Sequence, residues 1–95
     1  MNHEAKMQAL KEIFDNCLAI ADAKGRDYSG TKDGMSNFRD FGWKGIVVRL
    51  GDKYHRLNNL TKSEAAVDES VEDTLHDMIN YAALALVMKR LEDEE

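Results

Sequence analysis

Glu69, Asp73 and Asp77 are spaced i, i+4 and i+8, so on a helix they line one face, and Asn80 continues it. Glu72 and His76 form a neighbouring i, i+4 pair. Stacked carboxylates repel one another by about 0.2–0.5 kcal/mol per pair in water, and either a divalent cation or a facing row of bases would offset that repulsion. Magnesium suits such a row, because it takes carboxylate oxygens and keeps several of its waters. A solvated acidic face is the plain alternative.

A second face offers the counterpart. Arg49, Asp52, Arg56 and Asn59 recur at i, i+3, i+7 and i+10, flanked by Lys53 and His55. If the two helices pack antiparallel, this mixed face meets the acidic one, and two readings stay open. In one, Arg49 and Arg56 pair with Asp73 and Asp77 as structural salt bridges. In the other, Asp52 joins Asp73 and Asp77 as a metal ligand, leaving the arginines for phosphate oxygens, which their planar forks fit.

Between the helices lies the run GRDYSGTKDGMSNFRDFG at residues 25–42, with four of the six glycines. Arg26, Tyr28, Lys32, Asn37, Phe38 and Arg39 supply cations, amide hydrogen bonds and flat rings, the parts needed to hold phosphates and stack a base. Phe38, Phe41 and Trp43 read first as core residues plugging the loop. Other chemistries are poorly supplied. His55 and His76 lack a second histidine at i+3 or i+4, which disfavours zinc, and His3 is a terminal residue. Phosphate-loop, dinucleotide-binding and paired CxxC motifs are absent, as is any serine or cysteine nucleophile signature.

The elements that must position these groups are helical. Met7, Leu10, Phe14, Cys17 and Ala21 recur every three or four residues, with Ile13 and Ile20 beside them, which predicts a helix over about 3–24 capped by Asn2 and stopped at Gly25. Cys17 falls on that stripe and reads as a buried, inert thiol. The 25–42 segment predicts an ordered loop with one helical turn around 36–41. Ile46, Leu50, Tyr54, Leu57 and Leu60 predict a second helix over 43–62, weakened at Gly45 and Gly51. A third spans about 69–91, capped by Asp68 or Ser70, and is apolar over more than one stripe through Ile79, Ala82, Ala83, Leu84, Leu86 and Val87. Such a helix is buried on two sides, which predicts self-association through it. The closing EDEE opposes the helix dipole and predicts fraying. The expected fold is therefore all-α: three long helices and one short turn in a single domain over 1–95, an oligomerising helical bundle.

Composition bounds the rest. The chain has 95 residues, no proline, one cysteine and a net charge of −5. These exclude collagen-like and disulfide-scaffold classes, and no apolar run approaches a membrane span. The start, MNHEAKMQAL, lacks the charged-then-apolar pattern of a secretory leader, and with the lone thiol this predicts a cytoplasmic protein. The net charge hides an asymmetry: residues 1–24 carry −1, residues 25–62 carry +4 and residues 63–95 carry −8. An acidic total argues against DNA coating, while the opposed blocks must face each other or a ligand.

The ordered segments RDYSG, NFRDF, VVRLGDKYHRLNNL and DESVEDTLHDMINYAALAL, over residues 24–88, resemble the type-1 nucleotide modification associated domain, a small helical family frequent in tailed phages. The resemblance implies a nucleotide-metabolism role in the cytoplasm of a host cell without fixing a reaction. The acidic stripes are similar, more distantly, to the all-α nucleoside triphosphate pyrophosphatases of the MazG and dimeric dUTPase group, which bind magnesium through ExxE and ExxD pairs on neighbouring helices. Glu69 and Glu72 form ExxE here, but Asp73 and Asp77 follow on the same helix, and other helices offer only Asp52 and, farther off, Glu12 and Asp15. Carried over, this likeness implies magnesium on Asp52, Asp73 and Asp77, with Glu69 or Glu72 as base. Water would attack the α-phosphorus and release pyrophosphate. Arg49, Lys53 and Arg56 would neutralise phosphates, and Tyr28, Asn37 and Phe38 would hold sugar and base. The alternatives are a module that binds or sequesters nucleotides or nucleotide signals without hydrolysis, and an interaction protein whose charged faces are salt-bridged.

Overall fold

The computed structural model describes residues 1–28, 35–62 and 70–94. Helix α1 spans His3–Tyr28, the single turn α2 spans Ser36–Arg39, α3 spans Gly42–Leu60 and α4 spans Val71–Glu94. Among the described residues there is no strand, so the fold is all-α, with three long helices and one short turn as the periodicity predicts. None of these helices is long and apolar enough to cross a membrane.

The caps explain where the helices start. The Asn2 side-chain oxygen accepts the Ala5 N–H at 2.8 Å, satisfying one of the unpaired donors of the first turn of α1. At α4, Ser70 Oγ accepts the Asp73 N–H at 3.0 Å while Asp73 Oδ2 takes the Ser70 N–H at 3.4 Å, a reciprocal capping box. The alternative cap, Asp68, lies outside the described residues. Helix α1 does not stop at Gly25; it continues to Tyr28. A glycine ends a helix by taking a left-handed conformation, and Gly42 is the one glycine with positive φ among the described residues.

Helices α3 and α4 make the most extensive contact, α1 meets α4, and α2 packs on α3. The α3–α4 pair is antiparallel: the start of α3 meets the end of α4 at Trp43 and Glu92, and Lys53 lies beside Asp77 farther along. Met35, Ile46 and Met88 form the buried centre, with Phe38, Trp43, Tyr81 and Leu84 packed against it. Phe41 is a correction to the expected core: it is 80% exposed, because it occupies the N-cap turn of α3 while Phe38 and Trp43 on either side turn inward. Cys17 is buried, as its place on the stripe predicts, and burial raises its thiol pKa.

The acidic end of α4 stays helical through Glu94. Lys89 pairs with Asp93 at 3.0 Å, and the Glu92 carboxylate approaches the N-terminus of α3, 3.4 Å from the Trp43 N–H. That contact is long for a hydrogen bond, so the charge acts mainly on the positive end of the α3 dipole. Gly42 makes the approach possible. Its φ is +65°, and a Cβ there would collide with Glu92 Oε1. Gly51, inside α3, has open space where a Cβ would stand.

Gly42→Ala is therefore expected to lower unfolding free energy by about 1–2 kcal/mol from the left-handed backbone alone, and further by displacing Glu92. Gly51→Ala is expected to raise it by about 0.5–1 kcal/mol. Urea titration of the two variants checks this, and equal midpoints would contradict it.

Candidate functional site

Antiparallel packing sets Lys53 of α3 against Asp77 of α4, while the last turns of α1 bring Lys24 to the same carboxylate. Lys53 Nζ lies 2.9 Å from Asp77 Oδ2 and Lys24 Nζ lies 3.1 Å from Asp77 Oδ1. Each oxygen of one carboxylate thus holds an ammonium from a different helix. Asp77 and Lys53 are about one-fifth exposed, whereas Lys24 is about half exposed, so the Lys53 arm is the less screened of the two.

This triad lies in the wall of a cleft of about 460 Å³. Helix α1 contributes Ala21, Lys24 and Gly25; α2 contributes Phe38; α3 contributes Arg49 and Lys53; and α4 contributes Asp77, Asn80, Tyr81 and Leu84. Arg49 lies over the Phe38 ring, its guanidinium carbon 5.4 Å from the centroid, in cation–π geometry. Among the described residues no carboxylate forms an ion pair with Arg49. Among the described lining residues three cations and one carboxylate give a net charge of about +2, in a chain whose net charge is −5.

Asp77 is held ionised. Burial, the largest single influence, would push its pKa up; the hydrogen bonds from Lys53 and Lys24, with their charges, together outweigh it and hold the carboxyl below its usual range. The ionised form keeps both lysines directed at the cleft.

The other candidate residues scatter around this centre. Phe38, Arg49, Lys53 and Asp77 are brought together. Asp73 serves the α4 cap, and Asp52 is exposed on α3. Among the described residues no group of three or more His, Cys, Asp or Glu side chains is placed to hold a metal ion. Glu72 is exposed in the first turn of α4, Arg39 is exposed at the end of α2, and Arg56 is half-buried on α3 outside the cleft lining. Lys32 and Glu69 lie outside the described residues, as do the side chains of Arg26, Tyr28 and Asn37, whose backbones belong to α1 and α2. Asp77 is paired, as the salt-bridge reading expects, but by lysines rather than by Arg49 or Arg56. Lys24 and Tyr81 went unmarked by spacing. Lys24 is 53 positions from Asp77 on another helix, and Tyr81 sits within a run that reads as apolar. Charge alone could have flagged Lys24, as the base closing α1.

Because the folded-state pKa of Asp77 is depressed, its contribution to stability is present above the unfolded carboxyl value of about 3.9. It fades as pH falls below that value and through the lower folded one. Asp77→Asn is expected to lower stability at pH 7 by about 1–3 kcal/mol and to lose less on acidification than the parent. Urea midpoints between pH 7 and pH 2.5 read this directly; two parallel curves would contradict it.

No curated protein and no solved structure matches the chain. Residues 32–88, more than half of its length, match the family described as nucleotide modification associated domain 1, in a span that includes α2, α3 and most of α4. Of the cleft lining, Phe38, Arg49, Lys53, Asp77, Asn80, Tyr81 and Leu84 fall inside the matched region, and the three α1 residues fall outside it. The chain belongs to the nucleotide modification associated domain 1 family.

Proposed function

We propose that this domain binds a nucleotide or nucleotide derivative by its phosphate, in the cleft between α1, α3 and α4. The observation that carries the reading is the convergence of Lys24, Lys53 and Arg49, from two helices, on a cleft with a net positive charge. Phosphate oxygens are matched by ammonium and guanidinium donors. Asp77 holds the two lysines in place before the ligand arrives, and the Phe38 ring does the same for Arg49. Such preorganisation lowers the ordering cost of binding. Asn80 adds an amide that can both donate and accept, and Tyr81 adds an aromatic wall beside the apolar Leu84. Family membership supports a ligand drawn from nucleotide chemistry.

The reading is one of binding. In this arrangement Asp77 is paired with two lysines and the Asp73 carboxylate lies 3.4 Å from the Ser70 N–H of the helix cap, which supports binding over a magnesium-dependent step.

A thermal-shift panel of inorganic phosphate, nucleosides, and nucleoside mono-, di- and triphosphates tests the proposal. At a hundred times Kd a ligand stabilises the fold by about 2.7 kcal/mol, so phosphate-bearing compounds are expected to raise Tm and bare nucleosides to do so far less. Arg49→Ala is expected to weaken phosphate-bearing ligands by about 1.5–3 kcal/mol without moving the ligand-free Tm appreciably. No shift with any phosphate compound would contradict the proposal. Magnesium-dependent pyrophosphate release from a triphosphate would replace binding with hydrolysis.

A further inference from the structure

Among the described residues the first half of α1 is mostly exposed. Residues 3–16 are all exposed except Ala9, which is half-buried. This fourteen-residue stretch is strongly patterned: Met7, Leu10, Ile13, Phe14 and, one turn on, Leu18 form a continuous apolar strip, with Phe14 55% and Leu18 70% exposed. A helix of that length without tertiary packing is marginal in water, and an apolar strip of this extent marks an interaction surface.

We infer that a second copy of this chain covers the α1 strip. Surface area points to a copy-sized deficit. The chain exposes 7245 Å², whereas a monomeric protein of 10.8 kDa exposes about 5500 Å². The difference of about 1700 Å² is ample for the roughly 800 Å² per partner of a standard interface. The radius of gyration, 15.1 Å, likewise exceeds the value of about 12 Å for a globule of this length. Charge makes a copy acceptable here. Residues 3–18 hold Lys6 and Lys11 against Glu4, Glu12 and Asp15, so two copies meet with one net negative charge each, while the strong acidity lies at the other end of the chain. A strip on a straight helix is also self-complementary under a two-fold axis, the commonest symmetry of small oligomers. Helix α4 carries exposed Leu86 and Val87 as well, but it is already packed along α3 and needs no partner to stay helical. The association therefore runs through α1 rather than through the last helix.

Sedimentation velocity of the full chain, from about 1 to 100 µM, measures this. The expected mass is a multiple of 10.8 kDa, falling to one chain in the double variant Phe14→Glu and Leu18→Glu and staying multiple in Leu86→Glu. The near-UV signal of Trp43, packed in the α3–α4 core, should persist in the double variant. If it does not, Leu18→Ser serves as the milder variant and is expected to shift the dissociation midpoint at least tenfold upward. A single-chain mass at every concentration would overturn the inference. So would association that survives the α1 variants and is lost in Leu86→Glu.

Discussion

One carboxylate organises this small domain. Asp77 sits mid-bundle on α4 with each oxygen on an ammonium, Lys24 from α1 and Lys53 from α3. Partial burial of a charge is costly, and here the cost is met by two counter-charges rather than one. The pairing fixes the lateral position of α1 against α4 and the register of α3 against α4. It also creates the cleft, since two lysines drawn to one carboxylate cannot fill the space with apolar packing. At the far end of the α3–α4 pair a second acid, Glu92, meets the N-terminus of α3, allowed in by Gly42. Between these two polar contacts lies a core centred on three buried side chains, Met35, Ile46 and Met88.

The helices were legible because their apolar residues repeat near 3.6 and their caps are local. Asn2 and Ser70 announce the starts of α1 and α4 within four residues of the groups they bond. The ends were less legible. Gly25 has the composition of a stop, yet its backbone stays helical and α1 adds another turn; among the described glycines, Gly42 is where the left-handed turn falls. Which glycine turns depends on what approaches it, and the approach of Glu92 is tertiary. Phe41 shows the same limit, since its neighbours three before and two after are core and it is not.

The acidic stripe of α4 was legible as a stripe and not as a site. Spacing places Asp73 and Asp77 on one face without saying what each meets. Asp73 bonds back to Ser70 within its own helix, whereas Asp77, one turn on, reaches the packed region and finds two lysines. A partner 53 residues away carries no local signal. The split of charge along the sequence was the better guide: the basic middle and acidic end do meet, at Lys53 and Asp77, and the excess base lines the cleft. Arg49 supplies that excess from the basic middle, and Lys24 joins it from the end of α1.

We propose that this cleft receives the phosphate of a nucleotide. It is tested most directly by titrating ¹⁵N-labelled protein with a nucleoside monophosphate and following backbone amides. Saturable shifts are expected at Lys24, Gly25, Phe38, Lys53, Asp77, Asn80 and Tyr81, with α1 residues 3–16 unmoved. Shifts confined to other surfaces, or none at millimolar ligand, would contradict it.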